Sequence, residues 1–125
     1  MYKFKSPQAR ELIKYVANQY GRELEFLWQK FPDNAVWRRG DNDKWFGALL
    51  TVKKSKIEAG DDTPVEILDI RCTPDMLDFV VDGKKIFPGW HMNKRHWITI
   101  ILDGRMSINQ IESLLDNSYE IALKK

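Results

Sequence analysis

The chain has 125 residues, of which 43% are hydrophobic and 12% aromatic, enough apolar surface for one folded domain over residues 1–125 but not for two cores of ordinary size. Its 20 basic residues nearly balance 18 acidic ones, which excludes a polycation that binds nucleic acid through bulk charge alone. A single cysteine excludes a disulfide framework and a zinc site with several Cys ligands. No apolar run approaches the roughly 20 residues that cross a bilayer. We therefore expect a cytoplasmic protein without membrane contact.

The first predicted element is a helix over residues 7–20. Ser6 suits the N-cap, Pro7 suits the first helical position, and Gly21 ends the run. The apolar positions between them recur at helical spacing, at Leu12, Ile13, Val16 and Tyr20.

Strands are predicted next, from short aromatic or β-branched runs and from two-residue alternation. The alternation is clearest in KWFGALLTVKK, residues 44–54. The predicted strands are residues 23–28, 34–39, 44–54, 65–72 and 97–102, with the polar segment 57–64 as a loop.

Two further helices complete the prediction. Thr73, Pro74 and Asp75 have the cap, proline and acid pattern of a helix start, so a short helix should follow and end near Gly83. Ser107 begins a capping-box pattern, and an apolar stripe follows it at Ile108, Ile111, Leu115, Tyr119 and Ala122.

This order of elements lacks regular βαβ alternation and therefore predicts an α+β fold. We expect a two-layer sandwich, a mainly antiparallel sheet with the N- and C-terminal helices on one face. The other face of the sheet would be free, either for function or for burial in a dimer.

Charge is segregated along the chain. Residues 58–82 contain eight acids against one base, whereas residues 37–56 contain six bases against two acids and residues 84–105 five bases against one acid. If the two basic segments fold together, they form a positive patch in which Arg or Lys contacts phosphate and interleaved Trp stacks on bases or sugars. The alternative is that these bases are solvated strand ends and loops.

The stretch PGWHMNKRHW, residues 88–97, has the densest mixture of histidine, basic and aromatic side chains; we call it the 88–97 block. His91 and His96 are five residues apart, a spacing that places them on one face of neither a helix nor a strand, so we expect no metal site. A nucleophile elbow, a glycine-rich phosphate loop and an acid pair are all missing from the sequence. We therefore expect no catalytic residues and no cofactor.

Two interpretations of the 88–97 block remain open. In one, Pro88 and Gly89 turn the chain, Trp90 packs on the core, and the His and Asn side chains bond the nearby backbone. In the other, the Lys94–Arg95 rim contacts DNA.

The three segments FPDNAVWRRGDNDKWFGALLTV, PGWHMNKRHWITIILDG and IESLLDNSYEIALKK together resemble the MmcQ/YjbR family of small bacterial proteins over essentially the whole chain. The resemblance implies a compact two-layer α+β fold, similar to the frataxin-like and secretion-chaperone-like folds, and DNA binding. The positions that match the family block are Gly89, Trp90, His91, Met92, Asn93, Lys94, His96 and Trp97.

We accordingly predict a non-enzymatic module, a monomer or weak dimer, that binds nucleic acid, most simply DNA, weakly and without marked sequence preference. A protein-interaction or chaperone-like adaptor, acting through the free sheet face or the acidic segment 58–82, is the alternative. The predicted nucleic-acid contacts are Arg38, Arg39, Lys44, Lys94, Arg95 and His96. A structural role is predicted for Gly89, Trp90, His91, Met92, Asn93 and Trp97.

Overall fold

The computed structural model describes residues 4–123, which form three α-helices around one side of a five-stranded sheet. The helices are α1 (Pro7–Tyr20), α2 (Pro74–Val80) and α3 (Ile108–Ile121). The strands are β1 (Ala35–Arg38), β2 (Trp45–Lys53), β3 (Pro64–Arg71), β4 (Phe87–Pro88) and β5 (Trp97–Ile101). Every strand pair is antiparallel, in the order β1-β2-β3-β5-β4, which confirms the predicted α+β fold.

The two long helices begin at the predicted caps. Ser6 Oγ accepts a hydrogen bond from the Ala9 N–H at 3.1 Å, and Ser107 Oγ accepts one from the Gln110 N–H at 3.3 Å. Gly21 ends α1 with φ of 64°, a left-handed conformation that glycine adopts at little cost. These ends are set by local sequence, and they were predicted correctly.

The helix face of the sheet carries the larger core. Leu12 and Val16 of α1 and Ile111 and Leu115 of α3 are fully buried against it. The hydroxyls of Tyr15 and Tyr20 both donate to Asp116, at 2.6 and 2.5 Å, which ties α1 to α3. The pKa of Tyr15 rises to about 12, because its hydroxyl donates to the Asp116 carboxylate and is partly buried beside that charge.

The second face of the sheet is covered, so the prediction of a free face is wrong. Its side chains form a smaller core of Val36, Ala48, Leu50, Val52, Ile67, Phe87 and Ile101. Trp28, Trp90 and Met92 pack over this core from irregular segments. The sequence did not reveal the cover because irregular chain has no periodic apolar pattern.

The strand predicted at residues 23–28 is absent from the structure. Only Glu25 pairs there, exchanging backbone hydrogen bonds with Val36 at 2.8 and 3.0 Å. Phe26 stacks on Phe4 of the helix-side core, whereas Trp28 packs on the second core. In a strand, residues two apart point to the same side, so these contacts are incompatible with one.

Two smaller differences concern the chain between β3 and β5. The short helix α2 ends at Val80 rather than near Gly83, because Asp82 Oδ1 accepts the N–H groups of Lys84, Lys85 and Ile86 in a tight turn. The two-residue strand β4 was not predicted.

No helix within residues 4–123 has the length and apolar character to span a membrane.

Candidate nucleic-acid interface

Four side chains form a row across one end of the second face, and we call them the basic-aromatic row. Arg38 on β1 lies opposite Trp45 on β2, and Arg71 on β3 lies opposite Trp97 on β5. Directly opposite residues of antiparallel strands share a face. With neighbouring strands about 4.8 Å apart, the row spans roughly 15 Å.

A shift in register between β1 and β2 places Trp45 in this row. Trp37 pairs with Gly47 but Arg38 pairs with Trp45, so Phe46 is an extra residue on β2. Such a bulge changes which way the following side chains point. As a result Phe46 is buried in the helix-side core, and Trp45 packs at the edge of the second core.

Arg71 occupies the centre of the row. Its guanidinium carbon lies 4.7 Å from the centroid of the Trp97 ring, within the range of cation–π attraction, and its Nε donates to the Trp45 carbonyl. Burial lowers the pKa of Arg71, but a guanidinium stays charged in proteins. Trp45 in turn meets Trp28 edge-on at 5.8 Å between ring centroids.

The predicted basic residues lie at both ends of the row. Arg38 is half-buried, with Nε 3.2 Å from Glu25 Oε1 as an ion pair, and Lys44 directly precedes Trp45. Exposed Lys94, Arg95 and His96 directly precede Trp97 at the other end. The structure therefore brings part of each basic segment, Arg38 and Lys44 of one and residues 94–96 of the other, to the same end of the sheet, whereas Lys53 ends β2 at the opposite end.

The 88–97 block forms a tight turn against β5. The Gly89 N–H donates to the Trp97 carbonyl at 3.1 Å, and the Lys94 ammonium donates to the Gly89 carbonyl at 2.9 Å. His91 has φ of 58°, an uncommon conformation that histidine tolerates better than most residues. The Asn93 side chain accepts the Arg95 N–H at 2.9 Å.

Beneath this turn lies a fully buried carboxyl group, Asp69 on β3. The Thr99 hydroxyl donates to Asp69 Oδ1 and accepts the Trp90 N–H at 2.9 Å. Asp69 Oδ2 has no hydrogen-bond partner within residues 4–123. Burial raises the pKa of Asp69 to about 7, against smaller opposing effects of the Thr99 hydrogen bond and the Lys94 charge.

Arg39 was predicted to contact nucleic acid, but its side chain points into the protein and is only 6% exposed. Its guanidinium donates twice to Asp41, at 2.9 and 2.8 Å, and once to the Tyr119 carbonyl near the end of α3 at 2.8 Å. It also lies 4.0 Å over the Tyr119 ring. These contacts join the β1–β2 connection to α3, so we leave Arg39 out of the interface.

Replacing Arg39 with glutamine should therefore lower the free energy of unfolding without changing binding at the sheet. We expect a loss of about 1–2 kcal/mol, because the change removes a charge-assisted pair and leaves the Tyr119 carbonyl without its donor. Urea denaturation followed by tryptophan fluorescence measures it. The same substitution at exposed Arg95 is the control, expected within about 0.5 kcal/mol of the parent protein; equal losses at both positions would contradict the assignment.

Arg71 is the site residue that sequence reasoning missed. It is the lone base of the acidic segment 58–82, and it follows a run of buried strand residues. That exception in charge was the available signal. Strand pairing, which the sequence does not specify, is what places Arg71 beside Trp97.

The described part of the chain gives little support to a metal site or to a nucleophilic cysteine. Within residues 4–123, no three His, Cys, Asp or Glu side chains cluster closely enough to hold a metal ion. Cys72 is buried, and this burial raises the pKa of its thiol, opposite to the shift that activates a nucleophilic cysteine.

The fold and site define a small α+β protein with a basic and aromatic sheet end. The YjbR family model matches residues 17–121, and the chain belongs to this family. The uncharacterised protein YyaQ of Bacillus subtilis is 32% identical over 111 residues, 89% of this chain and 94% of that protein. The uncharacterised protein YjbR of Escherichia coli K12 is 32% identical over 57 residues, 45% of this chain and 48% of that protein.

Solved structures share the fold. A crystal structure of a Pseudomonas syringae protein has a TM-score of 0.84 at 36% identity, covering 90% of this chain and 97% of that one. A Deinococcus radiodurans protein with the domain DUF419 has a TM-score of 0.69 at 22% identity, covering 99% and 83%. None of these names gives a function, and none indicates catalysis.

Proposed function

We propose that the protein is a non-enzymatic module that binds nucleic acid, most simply DNA, weakly and with little sequence preference. One observation carries the proposal: guanidinium and indole groups alternate across four neighbouring strands, and exposed Lys94 and Arg95 extend one end. Guanidinium groups suit phosphate oxygens, and an indole suits stacking on a base. Neither interaction requires a particular sequence.

The side chains of the row have different roles in this proposal. Trp97 is only 7% exposed beneath Arg71, so it braces the guanidinium, whereas half-buried Trp45 is the candidate for stacking. His96 supplies a further hydrogen bond. Reading of the major groove by α3 is disfavoured, because that helix carries Glu112 and other acids and no basic residue in its last turn.

The salt dependence of binding tests the proposal. Fluorescence anisotropy with labelled single-stranded and duplex 20-mers should show affinity that falls steeply with salt, because each neutralised phosphate releases counterions. Replacing Lys94 and Arg95 with alanine should weaken binding and reduce the slope of log K against log salt by about 1.5. The same double change at Lys53 and Lys56 is the control, since both are exposed and Lys53 ends β2 far from Trp45.

Two outcomes would overturn the proposal. One is that neither oligonucleotide binds near 50 mM salt, where electrostatic binding is strong. The other is that the control pair changes the slope as much as Lys94 and Arg95 do.

The single thiol, Cys72, supports a cytoplasmic location as part of the same proposal.

A protein-interaction module is the second candidate function. The observation that favours it is the exposure of large hydrophobic side chains, from 41% at Leu27 to 88% at Phe79. The most exposed of them, Phe79, lies on α2 in the helix layer, and exposed apolar surface is typical of protein contact sites. We propose that a protein partner binds at the helix layer and leaves the basic-aromatic row free.

A further inference from the structure

A groove of about 440 Å³ lies along the outer side of α3. Its apolar lining is Ile86, Met106 and Leu114, and its polar lining is Asn109, Gln110 and Ser113; we call it the α3 groove. Uncharged amide and hydroxyl groups beside an apolar floor can bond a peptide backbone while its side chains enter the groove. The lining residues of this groove are uncharged, unlike those of the basic-aromatic row.

Two contacts, one near each end of α2, indicate that this helix runs beside the groove and antiparallel to α3. Near the start of α2, Met76 Sδ lies 3.6 Å from the side-chain nitrogen of Asn117. Just beyond its end, the Asp82 N–H donates to the carbonyl of groove residue Ile86 at 3.1 Å. Since Ser113 lies one turn before Asn117 in α3, the second turn of α2 lies beside the middle of the groove.

Phe79 lies in that second turn and is 88% exposed. Three residues after Met76, which contacts α3, it lies on the neighbouring part of the helix surface, and its ring extends into solvent. Leaving so large an apolar ring in water is unfavourable, and its burial against a partner would stabilise a complex. Met76, Leu77 and Val80 attach α2 to the helix-side core, and Phe79 takes no part in that packing.

The charged side chains beside Phe79 on α2 are acidic. Asp75 and Asp78 are exposed on the outer side of α2, and Asp75 is one turn before Phe79. At the other end of the groove, exposed Lys84 and Lys85 precede Ile86, but exposed Asp82 lies next to them and accepts the backbone N–H of both. The α2 side of the groove is therefore acidic, whereas the charges near Ile86 partly cancel.

We propose that the α3 groove and Phe79 form a docking site for a protein segment that carries apolar side chains next to Arg or Lys residues. The apolar side chains enter the groove against Phe79, and the basic ones lie over Asp75 and Asp78. Charge complementarity with these two carboxylates selects a basic partner. The inference specifies where the second candidate function acts and does not depend on nucleic-acid binding.

A pair of synthetic helical peptides tests the site. Both have about 15 residues and the same leucines at i, i+4 spacing, the helix-in-groove pattern, but one carries arginines where the other carries glutamates. We expect the arginine peptide to bind at least tenfold more tightly in fluorescence anisotropy. Binding should move the amide NMR signals of Ser113 and Leu114.

Matched substitutions identify the contact residues. Phe79→Ala should lower the affinity for the arginine peptide about tenfold. The double change Asp75→Asn and Asp78→Asn should lower it severalfold. Phe31→Ala is the control, because Phe31 is also exposed, at 59%, but lies outside the helix layer. Denaturation curves of each variant check that it folds.

Each other outcome is decisive. If the arginine peptide binds but Phe79→Ala and Phe31→Ala weaken it equally, or if the NMR shifts lie elsewhere, the docking site is overturned and the second candidate function stands. If neither peptide binds, or if both bind equally, the docking site is overturned together with its selection for basic partners.

Discussion

Replacing Asp69 with asparagine is expected to stabilise the protein above pH 7 by a few kcal/mol. The parent carboxyl is fully buried, and its Oδ2 has no hydrogen-bond partner within the described chain. An ionised carboxylate without a paired cation is costly in such a place. Asparagine keeps the oxygen that accepts the Thr99 hydroxyl but carries no charge.

The sign of the pH dependence follows from the raised pKa. In the folded protein Asp69 titrates at about 7, above its ordinary value of 3.8. Between these values the folded protein retains a proton that the unfolded chain releases, so the free energy of unfolding falls as the pH rises. The fall is about 1.4 kcal/mol per pH unit for this one group, and it ends above pH 7.

Urea denaturation from pH 4 to pH 8 measures this difference. The parent protein and Asp69→Asn should have similar stability near pH 4 and diverge toward pH 7. Asp78→Asn, an exposed position, is the control and should follow the parent protein throughout. Parallel curves for the parent and Asp69→Asn would contradict the raised pKa.

The fold was predictable where local sequence determines structure. The Ser6 and Ser107 caps and the glycine after Tyr20 specify helix ends without help from distant residues. For the same reason helical apolar spacing predicted α1 and α3, two-residue alternation predicted β2, and a β-branched run predicted β5. The failure at residues 23–28 arose because Phe26 stacks on Phe4 of the helix-side core whereas Trp28 packs on the second core, which is a property of tertiary packing.

The candidate site was predictable only in part, because strand pairing assembles it. Sequence reasoning found Arg38, a member of the row, and the bases that flank the row, Lys94 among them, from the density of basic residues along the chain. It could not distinguish exposed Arg95 from buried Arg39, since both are arginines in basic segments. Arg71 becomes a neighbour of Trp97 only through the pairing of β3 with β5.

The contacts within the 88–97 block give most of its residues a place in the turn. Trp90 is anchored through its N–H to Thr99, and Met92 packs on the second core. Asn93 closes a small turn around Arg95. These contacts give Trp90, Met92 and Asn93 positions in the turn, and Lys94 and Arg95 remain exposed beside it.

Gly89 is the residue of the block whose replacement should cost most. A Cβ atom at this position would lie 2.8 Å from both Trp97 Cβ and the Trp97 carbonyl oxygen, closer than van der Waals contact allows. The strand β4 passes β5 here, and the Gly89 N–H donates to that same carbonyl. Gly89→Ala must therefore push the two strands apart or break this hydrogen bond.

We expect Gly89→Ala to lower the free energy of unfolding by about 2–3 kcal/mol, near the upper end of overpacking costs. Gly40→Ala is the control, because the added Cβ would meet only the end of the flexible Arg22 side chain, 3.2 Å away at Nη1. That change should cost less than about 0.5 kcal/mol. Both are measured by urea denaturation at pH 7. If Gly89→Ala were as stable as Gly40→Ala, the glycine would not be required for packing against β5, and a direct role in ligand contact would become the better explanation for it.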